Sequence, residues 1–434
     1  MLDRLFKLGE RGTTARTEVM AGFTTFVTMA YIIFVNPSIL KNIPGLQNEG
    51  ASLTAATCLA AALPTLVMGL WTNTPFALAP GMGLNGFLTF AVCLGQGIPW
   101  QTAMGVVFWE GVIICALVLT RTREAIMSAI PASLKHAISA GIGFFITLLG
   151  FVSAGIVKLG IADAPLKAGS LHDKGVIVAA AGLLLTLVFF TFRWRSALLL
   201  GIAVTSLLAV FAGLTHLPSH VIQTPVFHTF GKADLVAGIQ PRYWSLILAF
   251  VMSDFFDAMG TIVGVGQQAK LVNSAGRIAR LRDILFVDGL AAVWGGVCGS
   301  SSATTYIESA SGVGEGGRTG LVSVVVGVLF LLALFFAPIV GTIPPQATAP
   351  ALVVVGFLMV SSIREIPFDR LEEALPAFVT LVSIPLTYSI SRGIGFGFIS
   401  YLLLLLATRR FRDVYPLLVV VSLLFALSFA LDRG

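Results

Sequence analysis

The chain has 434 residues, of which 56% are hydrophobic and only 11% charged. A soluble domain carries about a quarter charged residues, so a soluble enzyme or binding module is excluded and a polytopic membrane protein remains. The net charge of +6 would suit nucleic acid, but Lys and Arg sit in short loops between apolar runs, which is a topology signal.

Apolar segments of membrane-crossing length recur in order. Seven fall near residues 17–40, 53–71, 74–95, 101–120, 134–156, 175–192 and 196–214. A loop rich in Pro, His and Thr follows from His216 to Arg242. Seven more segments fall near 243–268, 284–299, 300–315, 319–340, 347–362, 372–390 and 392–408. The first run, Val19 to Leu40, lacks a small-residue cleavage pattern and reads as a span rather than a signal peptide. Arg4, Lys7, Arg11 and Arg16 precede it, which predicts a cytoplasmic N-terminus. Alternation then places Arg121, Arg123, Lys135, Arg193, Arg195, Lys270, Arg277, Arg280, Arg282, Arg318, Arg364, Arg370, Arg409, Arg410 and Arg412 on the same side, with Arg392 the exception. Fourteen spans with both ends inside account for this pattern. Beyond them, Val414 to Leu431 predicts either a fifteenth span or a helix lying in the interface.

Seven is odd, so two seven-span halves would be inverted with respect to each other. Ile130-Pro131 followed by Gly143-Phe144 is echoed at identical spacing by Ile343-Pro344 and Gly356-Phe357, both in the fifth element of their half. Interrupted segments correspond too. In the third, Asn73 to Phe90, Pro75 and Pro80 oppose continuous helix, and Pro80 or Gly81 suits a helix start. In the tenth, Gly299 to Gly320 holds Ser300, Ser301, Ser302, Thr304, Thr305, Tyr306 and Glu308 between two strongly apolar runs. Backbone so poor in helix formers is tolerated at membrane depth only where it lines a cavity. The fold expected is an all-α polytopic membrane protein with about fourteen spans in two inverted repeats. Short strands are expected in segments three and ten, and their paired breaks mark a substrate site. Against this stands the fact that Gly and Pro are frequent in transmembrane helices without such a role.

Few ionisable residues lie inside the spans. In the eighth, Ser253, Asp257, Gly260 and Gly264 step by four, three and four along one helix face, with Asp254 nearby. A small-residue stripe serves close helix packing. An unpaired carboxylate within it favours function, Asp257 more than Asp254, which could instead cap or pair near a cavity mouth. Glu308 is the strongest single candidate, because a helix N-terminus with free N–H groups stabilises a carboxylate and a polar ligand together. Asn85 holds the comparable place in the third segment and offers both donor and acceptor, though such an amide also joins helices. Glu110 and Asp288 could each be a structural hydrogen-bond partner or part of a proton path, the structural role being preferred, and Glu315 with Arg318 reads as a pair at the cytoplasmic end. The five histidines lie in loops or at span ends, so proton coupling falls to a carboxylate. Cys58, Cys93, Cys115 and Cys298 show no metal or disulfide spacing, and no metal or cofactor is expected.

Taken together, MAGFTTFVTMAYIIFVNPSIL, NTPFALAPGMGLNGFLTF, SDFFDAMGTIVGVG and TTYIESASGVGEGGRTGL resemble the AzgA-like adenine/guanine/hypoxanthine permeases. These are a branch of the second nucleobase–cation symporter (xanthine/uracil permease) family. The likeness runs from Arg16 to about Arg412. It implies a core domain of residues 17–120 and 243–340, a gate domain of 121–214 and 341–408, and a tail at 409–434. It implies import of a purine base with a proton by elevator-type alternating access, in a homodimer, across the inner membrane. It matches family polar positions to Asn85, Glu308 and Asp257 (or Asp254), with Tyr306 an aromatic position beside the ligand. The uracil and xanthine branches carry Asn and Gly after the tenth-segment acid or amide. Here Ser309, Ala310, Ser311 and Gly312 follow Glu308, which speaks against those substrates.

On this reading Glu308 accepts purine N–H groups and Asn85 complements the other edge. Phe76, Tyr306 and Thr305 complete the binding set, and protonation of Asp257 or Asp254 lets the loaded core move. A xanthine/uracil or anion carrier of the same architecture is the nearest alternative; Glu308 and Asp257 would repel an anion. A channel and an intramembrane protease are more distant, since the protease patterns GxGD and GxSG are absent around the candidate residues.

Overall fold

The first apolar run begins where Thr14 caps it, its side chain accepting from Thr17 N, and forms α1 (Ala15–Met29) and then α2 (Ile32–Leu40). The structure, a computed structural model, describes residues 2–120, 131–161, 164–170, 172–218, 220–271 and 278–431. Arg121, Arg123, Ile130 and Arg277 lie outside the described residues. The break at Ala30–Tyr31 has local causes. Thr28 Oγ1 donates back to the Thr24 and Thr25 carbonyls, and Pro37 has no N–H to offer Ile33. Ile33 N and Phe34 N reach only three residues back, to Ala30 O and Tyr31 O.

Helices then meet the predicted segments closely. They are α3 (Gly50–Val67), α4 (Met82–Gly86, widening into five-residue turns over Phe87–Gly95), α5 (Trp100–Leu119), α6 (Ala132–Ser153), α7 (Lys174–Thr191) and α8 (Ala197–Phe211). The second half holds α9 (Trp244–Gln268), α10 (Leu281–Cys298), α11 (Ser309–Gly314), α12 (Gly320–Ala333), α13 (Pro345–Val360), α14 (Leu371–Thr387) and α15 (Ile390–Ala407). Among the described residues, nine helices are long and apolar enough to cross a membrane, with shorter apolar helices at Met82–Gly95, Ala197–Phe211 and Leu418–Leu427. The tail forms α16 (Pro416–Leu431), which lies on α15, where Phe425 and Phe429 pack over Gly395. Its 16 residues span about 24 Å, short of a ~30 Å hydrocarbon core.

Segments three and ten are broken as their prolines and hydroxyls suggest. β1 (Leu78–Pro80) and β4 (Ala303–Thr305) pair antiparallel, with Leu78 opposite Thr305 and Pro80 opposite Ala303. Gly81 N to Ser302 O (2.8 Å) and Tyr306 N to Ala77 O (2.9 Å) extend the ribbon. Thr65 of α3 braces β1, its hydroxyl accepting from Leu78 N and donating to Leu78 O. A hairpin of β2 (Val157–Ile161) and β3 (Ala164–Ala168), which hydropathy does not reveal, joins α6 to α7.

The echoed pairs of the fifth elements meet directly. A Cβ at Gly143 would lie 2.7 Å from Gly356 O, and one at Gly356 would lie 2.5 Å from Gly143 O, so α6 and α13 cross backbone to backbone.

At the end of α11 the expected Glu315–Arg318 pair does not form. Gly316 turns the chain (φ 98°), and Arg318 Nη1 folds back to donate to Val313 O (2.6 Å) and Gly317 O (2.7 Å), capping α11. Glu315 pairs instead with Arg195, from the loop between α7 and α8. Nearby, fully buried Glu18 accepts from Arg318 N (2.8 Å), Thr319 N (3.1 Å) and Thr319 Oγ1 (2.7 Å), holding the start of α12. Glu18→Ala should lower stability by about 3 kcal/mol, because three hydrogen bonds to a charged acceptor are lost. The thermal midpoint in detergent measures this; a wild-type midpoint would refute it.

Candidate substrate site

Segment ten reaches its polar centre under tension. Gly299 ends α10 in a left-handed conformation (φ 75°), and Ser301 follows with φ 81°, rare for a residue with a side chain. Asn36 of α2 holds this corner: its Nδ2 donates to Ser300 Oγ (2.9 Å), Ser300 O (3.2 Å) and Thr57 Oγ1 (2.8 Å). β4 then delivers Tyr306 and, two residues on, Glu308 at the first turn of α11.

Four side chains converge here. Tyr31, at the break between α1 and α2, donates its hydroxyl to Glu308 Oε1 at 2.6 Å. Tyr306 donates to Pro80 O (2.5 Å) and so ties the site to β1. Tyr306 lies near both Glu308 and Asp257, and Glu308 is the charged neighbour of Asp257 on α9. The glycines of the α9 stripe are not a packing seam. A Cβ at Gly260 would meet nothing within 4 Å, and one at Gly264 would find only Ile307 Cδ1, at 4.0 Å. Asp257 therefore stands on a helix face that borders open space, beside the half-exposed Ile307 (48%).

The other expected residues lie on or beside the ribbon. Phe76 is fully buried just before β1, and its carbonyl accepts from Ser323 Oγ (2.7 Å). Thr305 donates its backbone N–H to Asp288 Oδ1 (2.8 Å), while its buried hydroxyl has no partner. Asn85 is fully buried in α4, and neither atom of its amide has a hydrogen-bond partner. That leaves a donor and an acceptor unmet, at about 1–3 kcal/mol each. Asp254 does not cap or pair near a mouth. It sits mid-helix with no exposure, and its charged neighbours are Asp288, Glu110 and, one turn along α9, Asp257.

The residues missed from sequence are Tyr31 and Asn36. The signal was there: a Tyr and an Asn-Pro pair inside the first apolar run. A separate cavity of about 320 Å³, walled by Phe34, Leu199, Ile202, Leu207, Ile339 and Ile343, contains none of these groups, and its apolar lining suits hydrocarbon rather than a polar base.

A model of the Xan_ur_permease group, described as "Permease family", matches residues 16–396. The chain is 42% identical over 429 residues to the adenine permease AdeP of Escherichia coli, covering 99% of this chain and 96% of that one. It is 39% identical over 435 residues to the guanine/hypoxanthine permease PbuO of Bacillus subtilis, covering 97% and 98%. Among solved structures, the transmembrane domain of the cyanobacterial bicarbonate transporter BicA has a TM-score of 0.61 at 16% identity, covering 88% of this chain and 96% of that one. The murine anion transporter Slc26a9 has a TM-score of 0.63 at 12% identity, covering 89% and 68%. At such identities the structures establish the fold alone, whereas the sequence relatives extend end to end. The chain is a membrane transporter, not an enzyme, and belongs to the nucleobase permease family.

Proposed function

We propose that the protein imports adenine, guanine or hypoxanthine together with a proton across the inner membrane, its N-terminus in the cytoplasm. The observation that carries this reading is the junction of the two broken segments. There Glu308 is held by Tyr31, with Tyr306 and Asp257 alongside. Purines present ring N–H groups and ring nitrogens along their edges. Glu308 accepts from those N–H groups, the unmet amide of Asn85 serves the opposite edge, and the aromatic rings face the base. A proton on Asp257 leaves less charge in the loaded site, which lowers the cost of carrying it past apolar helices. The core (residues 17–120 and 243–340) then moves against the gate (121–214 and 341–408), within a homodimer. The adenine and guanine/hypoxanthine specificities of the relatives support the substrate class.

Uptake of labelled hypoxanthine, measured in cells without purine carriers of their own, tests this. Excess adenine or guanine should compete; uracil should not. Asp257→Asn should abolish accumulation against a gradient and retain exchange of internal for external purine. Accumulation equal to wild type in Asp257→Asn would remove that residue from coupling, and competition by uracil alone would remove the purine assignment.

A further inference from the structure

Against the polypeptide of β4, three more carboxyl groups come together from three helices. They are Glu110 of α5, Asp254 of α9 and Asp288 of α10, and each is 0–1% exposed. The polypeptide leading through β4 supplies their hydrogen bonds. Ser302 Oγ donates to Glu110 Oε1 (3.0 Å), and Asp288 Oδ1 receives Thr304 Oγ1 (3.2 Å) and Thr305 N (2.8 Å). Asp254 stands in this group with neither oxygen partnered, and Glu110 Oε2 is also unmet. The ionisable groups facing the cluster are the three acids themselves, Asp257 one turn along α9, and Cys115 on α5, which faces Asp288.

We propose that Glu110, Asp254 and Asp288 form a second proton-binding site, separate from the purine site and linked to it through β4. Three buried anions side by side repel one another and lack solvation, so the group is stable only when it takes up positive charge. A proton is the charge that a pair of adjoining carboxyl oxygens takes up directly, one oxygen becoming the donor to the other. The step is simple in balance. A proton from water adds to one carboxylate oxygen, and the new O–H donates to a neighbouring carboxylate, as in other acid pairs that share one proton. The reverse step returns the proton to water, and no electron moves.

The link to the purine site is covalent and short. Thr304 and Thr305 hold Asp288, and Tyr306 and Glu308 follow immediately. When Asp288 changes between a charged and a neutral acceptor, the hydrogen bonds that fix β4 change strength roughly twofold. β4 follows the strained Ser301, so the ribbon has a second arrangement within reach. The inference extends the proton-coupled reading above, and its test needs no purine.

Infrared difference spectra of the purified protein without purine, recorded on acidification, report the carbonyl band of newly protonated buried carboxyl groups. A band in the wild type that is lost in Asp254→Asn and kept in Glu308→Gln is the expected result. If Asp254→Asn does not fold, Glu110→Gln and Asp288→Asn read the same band. A band unchanged in all the cluster variants that fold overturns the proposal. Displacement of the wild-type band by sodium at constant pH also overturns it, in favour of a metal cation. If purine transport is absent while the band behaves as expected, the proton site stands and the substrate assignment falls.

Discussion

Glu308→Gln should reduce the initial rate of purine uptake by roughly 100-fold or more, with the protein still folded and in the membrane. In the proposed complex Glu308 accepts at least two N–H groups from the base, and each hydrogen bond to a charged acceptor is worth about 1.5–3 kcal/mol. Losing about 3 kcal/mol corresponds to roughly two factors of ten. Glutamine is the informative replacement because it keeps the size and shape and removes the charge. Tyr31→Phe should cost less, about tenfold, because one hydroxyl is lost while the buried ring (1% exposed) stays in place. Uptake of labelled adenine or hypoxanthine, normalised to expressed protein, measures both. Wild-type rates in Glu308→Gln would refute the site.

Gly143→Leu should cost about 3 kcal/mol of stability, a large share of the roughly 5–15 kcal/mol that holds a typical domain. The Cβ would meet Gly356 O at 2.7 Å and Val360 N at 2.8 Å. Both are backbone atoms in the last turns of α13, so no side chain can rotate away. Gly260→Ala supplies the contrast. Its Cβ meets nothing within 4 Å, and alanine is the better helix former, so stability should hold or rise by up to about 1 kcal/mol. Thermal midpoints by fluorescence-detected chromatography separate the two; a Gly143→Leu protein as stable as wild type would mean that α6 and α13 do not cross so closely.

The contrast between these glycines shows what could and could not be read in advance. Hydropathy placed the helices, because desolvating a helix of span length demands an apolar surface along it. Pro75, Pro80 and the run of hydroxyls before Glu308 placed the two breaks, because each removes helix hydrogen bonds or helix formers in a place where water cannot substitute. The break at Tyr31 was hidden, because its causes are a threonine that back-bonds and a proline six residues on, both ordinary in membrane helices. Gly143 and Gly260 look alike in sequence; only the three-dimensional arrangement shows that one faces a backbone and the other open space. For Glu110 and Asp288 the sequence favoured a structural role over a proton path because residues 110, 254 and 288 are far apart in the chain, and their meeting depends on how α5, α9 and α10 pack. The partner of Glu315 was misjudged for a related reason: proximity in sequence favoured Arg318, but the turn at Gly316 directs that guanidinium to backbone carbonyls.

The ribbon also sets a timetable for synthesis. The ribosome makes β1 about 220 residues before its partner β4, and at roughly 5–20 residues per second the wait is on the order of ten to forty-five seconds. Through that interval the nascent strand has unpaired N–H and C=O groups that lipid cannot satisfy. Thr65 comes from the same early stretch and offers its hydroxyl to both the N–H and the carbonyl of Leu78, so part of the later pairing has a temporary stand-in from the outset. The remainder depends on the insertion machinery keeping Ala79 and Pro80 away from acyl chains until Ala303 arrives. The first half of the chain thus reaches the bilayer with an unfinished polar edge, which only the second half can close.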